Sequence, residues 1–398
     1  MGASVGRNRV GVSRSEDWLA KVAFSPGFVA GAGNAFRNMT KADKKFLFEL
    51  LEVPSPTGFE MEGQRKWASF VKKEADEVQC DAYGSTWATL DVGAEKTVML
   101  EAHADEIGYM VKHISKNGFL YLDRIGGSDV ATARGRRLQI LGDKGSVDAI
   151  IGNTAIHLRR DVLANEKAPK VHELWVDVGA TSDKEVAEMG LRVGHPAVYA
   201  EGCHEMAGKR LVGRALDNRV GGYIIAKALH QLAKVRAKGE LKVNVVFLNA
   251  VQEEIGGYGA KMATHRLRPD VALCTDVTHA TDTPALNHPM YGEVKMGGGP
   301  TVTHGTASHP LVVEQLMKVA KKKKLALQHE ASSRFTGTDT DSIYHSRDGV
   351  PSALVSLPLR CMHSVVEMAD YGDIEATTDL MAGFVQSLRG TESFAQSL

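Results

Sequence analysis

The apolar positions of this chain follow two rhythms. In the first rhythm, apolar residues at helical spacing alternate with short apolar runs that are typical of buried strands. The predicted helices are 40–53, one through Trp67, Phe70, Val71 and Val78, then 218–235, 257–266, 309–324 and a last one through Ile374 and Leu388. The predicted strands are 86–92, 97–102, 241–250, 270–276 and 352–357. Strands that alternate with helices predict a mostly parallel central sheet flanked by helices on both faces.

The second rhythm occupies residues 106–208, where short alternating segments are separated by glycines. This pattern is typical of a small β-barrel or sandwich. One helix interrupts it, since a capping box opens at Ser182 and a glycine stops the helix at Gly190. We therefore expect an α/β domain built from 39–105 and 209–398, with 106–208 as an inserted β-barrel-like domain and 1–38 as an N-terminal extension.

Composition narrows the function classes. The 398 residues are 43% hydrophobic and 24% charged, as in a globular protein with a full core. Lys and Arg together number 48, equal to Asp and Glu, so the charge predicts neither a nucleic-acid partner nor an anionic membrane surface. No run approaches the roughly 20 apolar residues of a membrane span. The four scattered cysteines predict reduced thiols and a cytoplasmic location.

Acids and a histidine follow the ends of two predicted strands. His103 and Asp105 follow the run 97–102, and Glu253 and Glu254 follow the longer apolar run that begins at Leu241. An ionised carboxylate is costly near an apolar interior unless a positive group compensates for it. The adjacent acids therefore indicate a metal ion. Because neighbouring side chains diverge at a strand end, one acid can hold metal while the other faces the water that the metal activates.

Three more residues extend this set. Asp217 precedes the predicted helix 218–235, so its carboxylate either caps the helix, the simpler interpretation of the residue alone, or bridges two cations. Asp276 and His363 lie at or just after predicted strands, and each alone is more often structural. Parallel strands, however, bring their carboxyl ends to one edge. Two histidines and three carboxylates without a thiolate suit zinc, cobalt or manganese.

Other chemistry leaves weaker signals. The segment from Gly337 to Asp341 is either an Asx-turn, which is favoured, or a substrate loop. The chain has no Gly-x-Ser-x-Gly motif, the usual mark of a serine-triad hydrolase. A metal-dependent acylamino-acid or glycan hydrolase and a catalytically silent assembly scaffold stay open as alternatives. A dinuclear phosphatase is disfavoured, because its metal clusters usually include Asn and more His ligands.

Six motifs resemble those of the tetrahedral (TET) aminopeptidases, a dinuclear-metal family that includes glutamyl and deblocking aminopeptidases. They cover roughly residues 40–388 and occur in the family's order. The motifs are Pro54-Ser-Pro-Thr-Gly58, Glu101-Ala-His-Ala-Asp105-Glu-Ile-Gly108, Gly213-Arg-Ala-Leu-Asp217-Asn-Arg219, Gln252-Glu-Glu-Ile-Gly256, Asp276-Val-Thr-His-Ala-Thr-Asp282 and Arg360-Cys-Met-His363-Ser364.

The resemblance implies a zinc-peptidase-like fold and removal of N-terminal residues from peptides. It implies two divalent metal ions per subunit, with zinc as the preferred metal and cobalt or manganese as alternatives. It implies that Glu253 is the general base and that Asp105 supports His103. It also implies that the inserted domain mediates dimerisation and that dimers assemble into a hollow tetrahedral dodecamer. The implied metal ligands are His103, Asp217 as the bridging ligand, Glu254, Asp276 and His363.

Overall fold

A computed structural model describes residues 1, 39–159, 167–284 and 286–396. The predicted N-terminal extension lies outside these ranges apart from Met1. Within them, no helix is both long and apolar enough to cross a bilayer. All four cysteines fall in the described ranges, and each is a free thiol.

The first helix buries one apolar face. In this helix, the Thr40 side chain accepts the N–H of Asp43 as an N-cap, and the predicted face of Phe46, Leu47, Leu50 and Leu51 is buried. The helices of the described ranges are α1 (Lys41–Glu52), α2 (Met61–Val71), α3 (Asp183–Glu188), α4 (Leu216–Ala237), α5 (Tyr258–Leu267), α6 (His288–Tyr291), α7 (Pro310–Lys323), α8 (Thr340–Ile343) and α9 (Tyr371–Ser387).

The strands belong to three groups, a central sheet, a barrel and a small three-stranded sheet. They are β1 (Glu77–Cys80), β2 (Thr86–Leu90), β3 (Thr97–His103), β4 (Gly108–Ile114), β5 (Leu120–Ile125), β6 (Arg137–Gly142), β7 (Gly145–Ile151), β8 (Trp175–Asp177), β9 (Pro196–Tyr199), β10 (His204–Met206), β11 (Arg210–Gly213), β12 (Asn244–Ala250), β13 (Val271–His279), β14 (Thr301–Gly305), β15 (Gln328–Ser332), β16 (Ser352–Leu359) and β17 (Glu367–Asp370).

The central sheet has the strand order β1-β2-β12-β3-β13-β16-β14-β15. Its middle strands β12, β3, β13 and β16 are parallel, whereas β1–β2, β2–β12 and β14–β16 pair antiparallel. Successive residues of β3 alternate between two cores, since Leu100 packs in the cluster that includes α4 and α9 while Met99 packs in the cluster that includes α5. The predicted α/β sheet with helices on its two faces is confirmed.

The glycine-rich middle of the chain closes into a barrel. Strands β4, β5, β8, β7, β6 and β9 form it, between Gly108 and Tyr199. It has a hydrophobic core of its own, with residues such as Tyr109, Leu120 and Ile140 fully buried. The predicted small β-barrel is therefore confirmed.

Some details differ from the prediction. Helix α2 ends at Val71, and Val78 lies in β1, where it pairs with Ala88. The seven-residue spacing from Val71 to Val78 fits two helical turns. Residues 77–80 form a strand instead, because pairing with β2 supplies hydrogen-bond partners for their backbone groups. The short strands β14, β15 and β17 have no clear apolar alternation, and sequence periodicity missed them.

Candidate metal centre

The parallel strands bring the predicted residues to one edge of the sheet. His103 ends β3 and stands in register with Ala250, the last residue of β12, so the chain reaches Glu253 and Glu254 just beyond it. Asp276 lies within β13, which pairs in register with β16. His363 follows β16 in the loop after Leu359.

Asp217 lies where α4 begins, but it does not cap the helix. Its φ and ψ of −78° and 111° would be compatible with an N-cap, but among the described residues its carboxylate accepts no N–H of the first helical turn. The neighbouring Asn218 accepts the N–H of Gly221 at 3.1 Å and so satisfies a donor of the first turn. The cap interpretation of Asp217 is wrong, because the backbone turns its carboxylate into the site instead.

The Asp217 carboxylate lies between two histidines. Its Oδ1 is 3.2 Å from Nε2 of His103, and its Oδ2 is 3.3 Å from Nε2 of His363. Asp276 Oδ1 lies 3.6 Å from His103 Nε2, and Glu254 Oε2 lies 3.6 Å from His363 Nε2. The structure thus forms two groups that share Asp217, and the candidate donor atoms within each group lie within 4.8 Å of one another.

Glu253 lies beside these groups without belonging to either. Its Oε2 is 3.8 Å from Nε2 of His103. Its side chain is 13% exposed, against 5% for Glu254. The two adjacent acids therefore diverge, with Glu254 among the candidate ligands and Glu253 at the more open side of the site.

Asp105 is fully buried behind His103. Its Oδ1 lies 3.4 Å from Nδ1 of His103, on the side of the ring away from the other acids. The same carboxylate accepts the N–H of Glu253 at 3.0 Å, the N–H of Glu254 at 3.1 Å and the Thr57 hydroxyl at 2.8 Å. Asp105 therefore contacts the predicted ligand and also fixes the backbone of both adjacent acids.

The structure adds a residue that sequence reasoning missed. Glu367, 2% exposed, accepts the N–H of Asp217 through Oε2 at 3.1 Å and the N–H of His363 through Oε1 at 2.8 Å. One carboxylate thus holds two of the candidate ligands in place. The available signal was weak, an acid four residues after His363 at the start of a short polar strand.

A glycine of the barrel also shapes the site. An added Cβ at Gly127 would lie 2.5 Å from Nδ1 of His363, too close for any side chain. The Gly126–Gly127 pair is one of the glycine positions that separate the predicted segments of 106–208, and it lets a barrel loop pack directly against a candidate ligand.

Burial and mutual repulsion raise the pKa values of most carboxylates in the site. Burial raises the pKa of Glu253 to about 10 and raises that of Glu254 well above its usual value, with neighbouring carboxylates adding to both. Burial also raises the pKa of Asp276. Although burial opposes it, hydrogen bonds with His103 and His363 lower the pKa of Asp217. A bound cation would let these carboxylates ionise together, so their raised pKa values indicate a cation-binding site.

The donor set fits divalent metal. Each group of three offers imidazole nitrogen and carboxylate oxygen, the ligands that zinc accepts alongside thiolate. Glu254 Oε1 is buried and has no hydrogen-bond partner among the described residues, as expected for an atom that awaits a cation. These observations support the use of divalent metal at this edge.

The acids open into a cavity of about 730 Å³. Asp217, Glu253, Glu254 and His363 line one side of it, and the loop 336–342 lines another. A volume of this order accommodates the end of a peptide, since small-molecule pockets are about 300–1,000 Å³.

Comparisons with known proteins identify a family. Residues 84–380 match the M42 glutamyl aminopeptidase family. A lysyl aminopeptidase from Pyrococcus furiosus is 34% identical over 350 residues, which cover 87% of this chain and 98% of the relative.

Solved structures point the same way. An aminopeptidase from the archaeon Desulfurococcus kamchatkensis superposes with a TM-score of 0.81 at 30% identity, over 88% of this chain and 97% of that one. The TET1 peptidase of Pyrococcus horikoshii, which can assemble into a tetrahedron or a large octahedral shell, gives 0.77 at 26% identity, over 87% and 100%.

Proposed function

The chain belongs to the M42 glutamyl aminopeptidase family and is a metal-dependent aminopeptidase, and we propose that Glu253 is its general base. The observation that carries this proposal is the divergence of two adjacent acids, of which Glu254 joins a candidate ligand group and Glu253 does not. The family match and the related aminopeptidase confirm the predicted aminopeptidase function, while the role of each residue is proposed.

We propose that two divalent ions, zinc first and cobalt or manganese as alternatives, bind in each subunit. His103 and Asp276 would hold one ion, Glu254 and His363 the other, and Asp217 both. This assignment follows the two groups that share the Asp217 carboxylate. When bound, such ions act as Lewis acids and lower the pKa of bound water toward about 7.

The side chains divide the remaining work. Glu253 takes a proton from the attacking water and delivers it to the departing amine. Its pKa of about 10, raised by burial and then by neighbouring carboxylates, falls when positive charge stands beside it, so that the group can alternate between its two forms. Asp105 holds His103 and the Glu253 backbone in position. Glu367 does the same for Asp217 and His363.

Assembly is a further part of the proposal. The TET1 peptidase of Pyrococcus horikoshii can assemble into a tetrahedron or a large octahedral shell, and its fold extends over 87% of this chain. We propose that this chain is a homo-oligomer, that residues 106–208 form the inserted domain through which two copies dimerise, and that dimers build a tetrahedral dodecamer. A cytoplasmic location is proposed from the free cysteines.

A substrate panel tests the proposed function. The full chain is stripped with a chelator and assayed on aminoacyl anilides and on the same compounds with an acetylated amine, before and after zinc, cobalt or manganese is restored. We expect activity only with metal and only on free amines. Faster cleavage of the acetylated compounds would favour an acylamino-acid hydrolase, and activity that survives chelation would contradict a metal-dependent reaction.

A further inference from the structure

One wall of the cavity lies apart from the candidate ligands and is built by the segment 336–342. Thr336, Gly337, Thr338, Asp341 and Ser342 all line the cavity that also contains the acids. Among these five lining residues the one ionisable side chain is the carboxylate of Asp341, since Asp339 of the same segment is buried and is not part of the lining.

The wall is held in a defined shape. Asp341 Oδ2 accepts the N–H of Thr336 and the N–H of Gly337, each at 2.9 Å. These bonds run back five and four residues, so they are not the Asx-turn favoured for this segment, in which the carboxylate would accept an N–H two residues further on. Ser342 packs against Gly257, where an added Cβ would lie 2.4 Å from the Ser342 hydroxyl. The segment is thus tied to the loop that follows Glu253 and Glu254.

The side chains that line the cavity are mainly acidic. Among its described residues are five carboxylates, two imidazoles and no Lys or Arg. Three of the carboxylates are candidate ligands and a fourth is Glu253, so the metals account for their charge. Asp341 Oδ1 receives only a 3.1 Å hydrogen bond from Thr336, and no described Lys, Arg or His forms an ion pair with Asp341. This carboxylate keeps acceptor capacity for a ligand.

Building on the proposed aminopeptidase function, we propose that Asp341 is a specificity-determining residue that selects cationic N-terminal side chains and rejects acidic ones. A lysyl or arginyl side chain that reaches the wall gains an opposite charge in a partly enclosed site. A glutamyl side chain finds no Lys or Arg in the described lining and meets a like charge instead, which disfavours binding. This preference separates the chain from the glutamyl substrate in the family's name.

His279 is the lining imidazole outside the candidate ligands. It is exposed at the end of β13, where water screens its charge. An exposed imidazole does not replace the Lys or Arg that an acidic substrate side chain requires. The test is run at pH 8.

The experiment compares substrates of matched shape on the metal-loaded full chain. Lysyl and norleucyl anilides differ by the ammonium group, and glutamyl and glutaminyl anilides differ by the carboxylate charge. We expect kcat/KM to favour lysyl over norleucyl by about threefold or more and glutaminyl over glutamyl by about tenfold, the size of a partly screened charge interaction. Both ratios should move toward one in 1 M salt.

The variant Asp341→Asn should bring both ratios toward one, a fall of about threefold for lysyl over norleucyl and of up to about tenfold for glutaminyl over glutamyl. Asp348→Asn, an exposed control nearby, should leave them as they are. Ratios within one variant stay readable even if its overall rate falls. Unchanged ratios in Asp341→Asn, a glutamyl preference, or ratios that ignore salt would overturn the inference. Inactivity on all four anilides with metal present would instead contradict the proposed function itself.

Discussion

Oδ1 of Asp105 accepts the backbone N–H of Glu253 at 3.0 Å while it lies 3.4 Å from Nδ1 of His103. One buried oxygen thus links the proposed base to a proposed metal ligand on a different strand. The position of the base relative to the metals depends on this atom, because it fixes both partners at once.

Replacement of Asp105 should therefore impair binding and catalysis together. Asp105→Asn keeps the shape but turns one carboxylate oxygen into an amide NH2 group, which cannot accept the backbone N–H that this oxygen accepted and meets it as a second donor. We expect metal affinity and kcat to fall by about 10- to 100-fold each. Metal titration and anilide kinetics measure the two effects, with Asp148→Asn on the barrel surface as the control. A normal metal affinity in Asp105→Asn would contradict its role behind His103.

The shared position of Asp217 predicts an asymmetry among the ligands. Asp217→Asn should weaken the binding of both ions, because the two carboxylate oxygens of Asp217 face different histidines. Asp276→Asn should weaken the binding of one ion only, because Asp276 belongs to a single candidate ligand group. Metal content after dialysis measures the difference, with fewer than one ion expected in the first variant and about one in the second. Equal losses in the two variants would argue against a bridging carboxylate.

The candidate ligands were predictable for a physical reason. His103, Glu254 and Asp276 lie where apolar runs end, and parallel strands end at one edge whatever the details of packing. The contacts of Asp217 and Glu367 were not predictable, because the first depends on local φ and ψ and the second joins backbone 150 residues away. Periodicity predicted the buried strands β3, β12 and β16 and missed edge strands such as β15, whose residues are largely polar.

Glu60 predicts a pH dependence of stability. Burial, then the charge of Asp105, raises its pKa from 4.5 to about 7. Below pH 4.5 the group is protonated in both states, whereas between 4.5 and about 7 the folded protein keeps a proton that the unfolded chain releases. The contribution to stability is therefore lost as pH rises across this window, by about 3 kcal/mol when complete.

Glu60→Gln should remove this loss, since the amide oxygen can still accept the N–H of Gly58. Urea unfolding of the metal-loaded protein at pH 5 and pH 8 measures it. We expect the free energy of unfolding of the variant, relative to wild type, to rise between these values. The exposed Glu62→Gln serves as control, and a variant that tracks wild type at both pH values would show that Glu60 is not shifted.

Gly257 tests whether the cavity wall must pack closely. It has a φ of +68° and no room for a Cβ, whereas Gly239 has a φ of +71° and nothing within 4 Å. Alanine should cost about 1–2 kcal/mol of backbone strain at either position. Only Gly257→Ala should also displace Ser342 and lower kcat/KM, by about tenfold or more. Urea midpoints and anilide kinetics separate the two effects, and equal kcat/KM in both variants would contradict close packing at the wall.

The most direct test of the account is Glu253→Gln, measured for kcat and metal content in the same preparation. The variant keeps the shape and removes the proton acceptor, so kcat should fall by about 10²- to 10⁴-fold. Bound metal and the urea midpoint should stay as in wild type, and so should all three properties of the exposed control Glu240→Gln. If Glu253→Gln instead retains near-native turnover with its metal bound, Glu253 is not the base and the proposed mechanism is wrong.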